Sequence, residues 1–214
     1  DMGRVLERYQ DELAHGEIAP DAAQHAIAER LDTLAQALEA KAAISGIFTA
    51  FLKRARPPEP VRGLYIHGGV GRGKTMLMDL FFEEVALRAK VRAHFHEFMA
   101  DVHERIAEAR KSVAGDPIPH VAAAIGKDAR LLCFDELHVT DIADAMILGR
   151  LFQGLFEAGT TIVATSNAHP SQLYKNGLNR QLFLPFIHHL EMQMDVVALD
   201  AVKDYRLEKL TGTP

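Results

Sequence analysis

A single cysteine, Cys133, leaves nothing for an internal disulfide to pair with. A reducing compartment is therefore expected, and a disulfide-stapled scaffold is excluded. No apolar run approaches the roughly 18–20 residues that a membrane-crossing helix requires. Nor does a secretory signal open the sequence, whose first stretch is acidic and polar. The chain begins at Asp1 and not at a methionine, which fits removal of an upstream segment. Internal repeats and low-complexity tracts are missing too. A large charge of one sign is also lacking: the net charge is -5, which argues mildly against a general binder of nucleic-acid backbones. What is present, 214 residues of which 48% are apolar and 25% charged, suits one soluble globular α/β domain, or one domain with a small appendage.

The first stretch reads as helical. Asp21 follows Pro20 at a helix start, and Ile27, Leu31, Leu34 and Leu38 recur at helical spacing. A second apolar face runs Ile44, Ile47, Phe48, Phe51, Leu52. The proline-dense segment 54–60 ends it, because prolines remove backbone donors and bias their neighbours to extended backbone. This divides the chain into a helical region, 1–59, and a core, 60–214. Within the core, strands are expected at 64–67, 91–98, 130–134, 160–164 and 195–199. Helices are expected at 74–89, 101–112, 141–158, 170–176 and 179–188, with a loop at 115–120 and a short helix after it. Strands alternating with helices imply a parallel sheet.

Between the first core strand and its helix lies Gly68-Gly69-Val70-Gly71-Arg72-Gly73-Lys74-Thr75, which fits G-x-x-x-x-G-K-[ST] in full. Glycines let successive backbone N–H groups turn inward around an anion. The helix N-terminus adds partial positive charge. The pattern predicts ATP phosphates held by residues 68–76, from Gly68 to Met76, with Lys74 reaching the β- and γ-phosphates and the Thr75 hydroxyl ligating Mg²⁺. An ordinary glycine-rich turn with an incidental lysine is the competing reading.

Leu131-Leu132-Cys133-Phe134-Asp135-Glu136 is an apolar strand ending in two carboxylates. Strand C-termini in an open parallel sheet face the ligand crevice, so both acids are expected beside the nucleotide. Asp135 would hold Mg²⁺ through water, and Glu136 would act as general base on the attacking water. Asn167 ends the next strand, where its amide can orient that water or serve an Asx turn leading to Pro170. Arg180 fits either a trans-acting arginine finger on a neighbouring subunit's γ-phosphate or a surface arginine near a helix start.

Other features are weaker. Among eleven histidines, His94 and His96 would share a strand face with His103 nearby, yet no cysteine or carboxylate pattern completes a metal site. Phe81, Phe82, Phe95, Phe98 and Met99 read as core, the last three alternatively as a substrate-contacting loop. Arg54, Arg56 and Arg62 form a small basic cluster on a solvated face.

Several segments in order carry a family likeness. They are Gly63–His67 running into the glycine loop and Met76–Phe81; His94–Met99 with Val102-His103; Leu132–Glu136 with Val139–Met146; Ala164–Asn167; Leu173–Leu178 with Phe183–Ile187; and Asp204-Tyr205-Arg206. Over about residues 60–206 the chain resembles the ZapE-type AAA+ ATPases, a cell-division-linked branch with mitochondrial relatives. The resemblance implies an AAA+ αβα P-loop NTPase core, ATP hydrolysis with Mg²⁺ at a subunit interface, and nucleotide-dependent homo-oligomers. It also implies a cytoplasmic protein at the periphery of the inner membrane that remodels a tubulin-like division polymer. Lys74, Thr75, Asp135, Glu136, Asn167 and Arg180 match the motif roles. Leu137 and His138 stand where the family usually carries phenylalanine and glutamine. Family members also continue past the position of Pro214 into a helical lid with a further nucleotide-sensing arginine. Two other functions compete: a helicase-loader-like ATPase acting with nucleic acid, against which the charge balance weighs, and a nucleotide-regulated binding module, against which Glu136 speaks.

Overall fold

The structure, a computed structural model, describes residues 1–51, 61–71 and 73–199. The proline segment, Arg54, Arg56, Arg72 and Asp204-Tyr205-Arg206 lie outside the described residues, as does the side-chain face expected at Ile47, Phe48, Phe51 and Leu52.

Five strands form the sheet: β1 (Gly63–His67), β2 (Lys90–His94), β3 (Leu131–Asp135), β4 (Thr161–Ser166) and β5 (Met194–Ala198). All neighbours pair in parallel, in the order β2-β3-β4-β1-β5. β3 and β4 are buried at every position, which explains why they read as continuous apolar runs. Successive side chains point to opposite faces, so the inner strands β3, β4 and β1 feed two cores. Leu64, Ile66, Leu131, Cys133 and Val163 pack into one, while Tyr65, Leu132, Phe134, Ile162 and Ala164 pack into the other.

The first core is closed by α1 (Arg4–Ala14), α2 (Ala22–Phe51) and α3 (Lys74–Glu84), through Val5, Tyr9, Ile27, Leu31, Leu77 and Phe81. The expected helix start holds: Asp21 Oδ1 accepts from the N–H groups of Ala23 (2.9 Å) and Gln24 (3.2 Å). Ile27, Leu31, Leu34 and Leu38 are all buried. The first apolar face and the second as far as Phe51 belong to one helix of 30 residues. The second core is closed by α4 (Phe95–Ala109), α5 (Ile118–Asp128), α6 (Ile142–Glu157) and α7 (Arg180–Gln193). Among the described residues no helix is long and apolar enough to cross a membrane.

Several boundaries differ from expectation. The strand expected over 91–98 stops at His94, and α4 starts at Phe95. Phe95, Phe98, Met99, Val102 and Ile106 are buried at helical spacing, so packing against the sheet overrides the strand-like look of the first three. His94 and His96 therefore do not share a strand face, and His103 Nε2 instead pairs with Asp144 Oδ1 at 2.6 Å. Among the described residues no group of three or more His, Cys, Asp or Glu could hold a metal ion. The helix expected to reach Ala89 ends at Glu84. There Lys90 Nζ reaches back to the carbonyls of Phe82 (2.6 Å) and Val85 (3.2 Å) and lies 4.8 Å from the Phe82 ring centre. α5 begins at Ile118, inside the expected loop. Of the helix expected over 170–176 only a 3₁₀ turn at Pro170–Gln172 forms, because Tyr174 and Asn176 adopt positive φ (53° and 61°). α7 runs on past His188 to Gln193 with Pro185 inside it.

Phe134 sits at the centre of the second core, with ring centres of Phe98, Phe95 and Phe152 at 4.6, 5.4 and 5.9 Å. Replacing it with alanine is expected to cost about 3–5 kcal/mol, since three neighbours lose their partner. Thermal unfolding should then shift down by about 6–20 °C. A shift below about 3 °C would mean that this cluster contributes little.

Candidate nucleotide-binding site

The register of the sheet brings the loop and the acids to one edge. Ala164 of β4 pairs with Phe134 of β3 on one side and with Tyr65 of β1 on the other. The residues following each strand, Gly68 after β1, Glu136 after β3 and Asn167 after β4, therefore leave the sheet together at its C-terminal edge. Hydrogen bonds tie these exits. Gly68 N–H donates to the Ser166 carbonyl (3.1 Å), and Leu137 N–H donates to the Thr165 carbonyl (2.8 Å). Ser166 Oγ donates to the Leu137 carbonyl (2.8 Å). Leu137 is buried as part of this joint.

Within the loop, Gly71 and Gly73 adopt positive φ (77° and 95°), the region where a side chain is strained. A side chain on Gly73 would also collide with Gln24, whose Nε2 lies 2.6 Å from the position of a Cβ there. Space around Gly71 is open, with nothing within 4 Å of a Cβ position. Gly73 caps α3, and its carbonyl takes the first helical hydrogen bond, from Leu77 N–H (3.1 Å). The first turn of a helix leaves its N–H groups without intrahelical acceptors, so the Lys74–Met76 turn presents donors toward the loop. Lys74 Nζ donates to the carbonyls of Gly68 and Gly69, the latter at 2.7 Å, which stations the ammonium over the loop. Thr75 is exposed beside it. These are features a phosphate chain fits: glycines in left-handed backbone, a helix N-terminus and one cation.

Asp135 is buried at the tip of β3, and Arg92 of β2 grips it side-on, Nε to Oδ2 at 2.7 Å and Nη2 to Oδ1 at 3.1 Å. Arg92 Nη1 also reaches Asp79 Oδ1 at 2.6 Å. Burial depresses the Arg92 pKa, but the hydrogen bonds to Asp135 and Asp79 outweigh it, so the guanidinium is held even more firmly charged than usual. Glu136 turns out of the strand line in the left-handed region (φ 56°), its N–H held by Thr165 Oγ1 at 3.2 Å and its side chain exposed. Such backbone costs about 1–3 kcal/mol and persists where the surroundings enforce it. Cys133 lies buried two residues before Asp135, and burial pushes its thiol pKa up, consistent with a packing role.

Two expected residues sit differently. Asn167 is exposed at the edge, and the local turn is made by others: Ala168 N–H donates to Ser166 Oγ (3.2 Å) and Ser171 N–H to His169 Nδ1 (3.1 Å). Arg180, the first residue of α7, turns its guanidinium onto the carbonyls of Ser171 (2.7 Å) and Leu173 (3.3 Å). Among the described residues its hydrogen bonds go to these carbonyls and to neither the loop nor the acids. Arg62 of the basic cluster joins Asp195 (2.5 Å) and the carbonyls of Glu191, Met192 and Met194. Arg92 and Asp79 were not singled out in the sequence. The available signal was an arginine inside an apolar strand and an aspartate one helical turn after Thr75.

Comparison with known proteins agrees with this geometry. The profile of the AFG1-like ATPase family matches residues 4–214. The chain is 50% identical over 152 residues to cell division protein ZapE of Escherichia coli, covering 71% of this chain and 40% of that protein. It is 49% identical over 162 residues to lactation elevated protein 1 homolog B of Danio rerio, covering 72% of this chain and 32% of that protein. The chain thus spans well under half the length of these curated relatives. Among solved structures, DnaI aligns with a TM-score of 0.52 at 16% identity, over 86% of this chain and 88% of that one. DnaA of Aquifex aeolicus bound to AMPPCP aligns with a TM-score of 0.51 at 16% identity, over 97% of this chain and 54% of that one. These two show a shared fold. With a family profile matched over nearly its whole length and half the residues shared with ZapE over 152 positions, the chain belongs to the AFG1-like ATPase family.

Proposed function

We propose that the chain binds ATP with Mg²⁺ through residues 68–76 and hydrolyses it, and that the protein of which it is the core uses this turnover to remodel a protein partner. The single observation behind the reading is that the glycine loop and the acidic pair leave β1 and β3, the two strands that flank β4, at one edge of the sheet. The loop amides and Lys74 bind and orient the triphosphate. Thr75 and Asp135 offer hard oxygen donors suited to Mg²⁺, Asp135 acting through water because Arg92 engages both its oxygens. A metal held there would supply charge neutralisation to the phosphate chain. Glu136 accepts a proton from the attacking water, and Asn167 at the neighbouring exit helps to orient it.

The trans-acting role for Arg180 requires its guanidinium to leave the carbonyls of Ser171 and Leu173 when subunits meet. Arg180→Ala is then expected to leave ATP affinity of dilute protein unchanged while lowering phosphate release at high protein concentration by roughly 10³-fold. An equal loss at both concentrations would assign Arg180 to holding its loop alone.

The name of the bacterial relative points to cell division, and a tubulin-like division polymer in the cytoplasm is the partner we propose. Phosphate release by the full-length protein, measured with the polymer, with single-stranded DNA and with neither, tests it. Stimulation by the polymer alone is expected. Stimulation by DNA alone would move the function to nucleic acid.

A further inference from the structure

Arg92 lies in β2, the edge strand, yet its side chain is only 21% exposed because it is clasped between two carboxylates from two different elements. In register it faces Cys133, and Asp135 is two residues further along β3, on the same face of the sheet. The guanidinium therefore leans toward the strand tips and meets Asp135 along its whole carboxylate edge, at 2.7 and 3.1 Å. Its remaining arm reaches Asp79 at 2.6 Å. Asp79 stands one turn after Thr75 on α3, and residues four apart share a helix face. One side chain thus couples the helix that carries Thr75 to the strand that carries Asp135.

Stability alone does not explain the arrangement, although removing one partner of such a pair is costly. Partly buried ion pairs contribute little net free energy compared with apolar packing of the same volume. What a side-on arginine does supply is orientation, since its planar fork fixes both oxygens of a carboxylate at once. With those positions taken, the carboxylate keeps only its outward lone pairs, which suit a metal-bound water better than the metal itself.

We infer that Arg92 is a positioning residue for Asp135: it holds the carboxylate so that a divalent cation is met through water, and it ties that carboxylate to the Thr75 helix through Asp79. The inference rests on the nucleotide reading proposed above and deepens it. Two consequences oppose each other. Removing the guanidinium takes one positive charge from beside Asp79 and Asp135, and frees Asp135 to ligate directly. Cation binding in the absence of nucleotide should strengthen while turnover falls. A residue that merely braced the fold would weaken both.

The test uses the full-length protein as wild type, Arg92→Met and Arg92→Lys. Mn²⁺ affinity without nucleotide is read by electron paramagnetic resonance, ATP affinity in EDTA by calorimetry, and kcat and KM by phosphate release with saturating Mg²⁺. Arg92→Met is expected to bind Mn²⁺ about tenfold more tightly. It should bind ATP in EDTA as wild type does and lose about 10²-fold in kcat with KM little changed. Arg92→Lys keeps the charge without the fork, so its Mn²⁺ affinity should match wild type while kcat still falls. Unchanged Mn²⁺ affinity in Arg92→Met, or a parallel loss of ATP binding and folding in both variants, would overturn the inference. Wild type that fails to bind ATP at all would overturn the nucleotide reading itself, and that failure shows before any variant is made.

Discussion

Lys74→Ala is expected to abolish measurable ATP binding at micromolar concentrations. The ammonium is partly shielded at the mouth of the loop, where it already collects the carbonyls of Gly68 and Gly69. A triphosphate entering the loop would exchange those two dipoles for full negative charges. Alanine leaves the phosphates with amide dipoles only. Truncating one partner of a shielded, hydrogen-bonded charge pair costs about 2–5 kcal/mol, or roughly thirty- to several-thousand-fold in affinity. The fold should survive, because the methylene stem of Lys74 is not part of either core. Calorimetry on wild type and variant, with unfolding midpoints measured in parallel, separates lost binding from lost structure. An affinity within about threefold of wild type would remove the loop from the account.

Glu136→Gln should do the reverse, keeping ATP and losing its hydrolysis. The residue sits just past the end of β3 in left-handed backbone, pinned by Thr165 Oγ1, and its side chain is exposed at the edge where the loop also emerges. Glutamine preserves size and backbone but cannot accept the proton of an attacking water. General-base contributions run to about 10²–10⁴-fold, so single-turnover phosphate release should slow by that factor while ATP affinity holds. Loss of binding together with turnover would place Glu136 among the binding groups. Undiminished release would remove it as the base.

Much of this site was legible in the sequence because its parts are local. The G-x-x-x-x-G-K-[ST] run needs no distant contact to be recognised, and β3 and β4 announce themselves as apolar runs because helices cover both faces of the sheet. The acids were found by the rule that strand ends face the crevice, and the register of Phe134 and Tyr65 on Ala164 supplies the reason. Legibility ended where packing decided. At His94–Met99 aromatic residues fit strand and helix patterns alike, and only burial against Phe134 selects the helix from Phe95 onward. The helical region up to Phe51 read as an appendage, whereas Val5, Tyr9, Ile27 and Leu31 share a core with Ile66 and Leu77 and Gln24 touches the loop at Gly73. The Arg92 clasp joins residues 43 positions apart in sequence, which no local pattern encodes. For Arg180 the sequence offered two readings, and the carbonyls of Ser171 and Leu173 give it a third task, anchoring its own loop.

Amide hydrogen exchange of the full-length protein, with and without saturating Mg·ATP, addresses the central claim most directly because it reports where the nucleotide sits. Slowed exchange is predicted across residues 68–76 and at residues 136–137, while the far ends of the strands stay unchanged. Saturating nucleotide that leaves the amides of 68–76 exchanging at their free rate would contradict it.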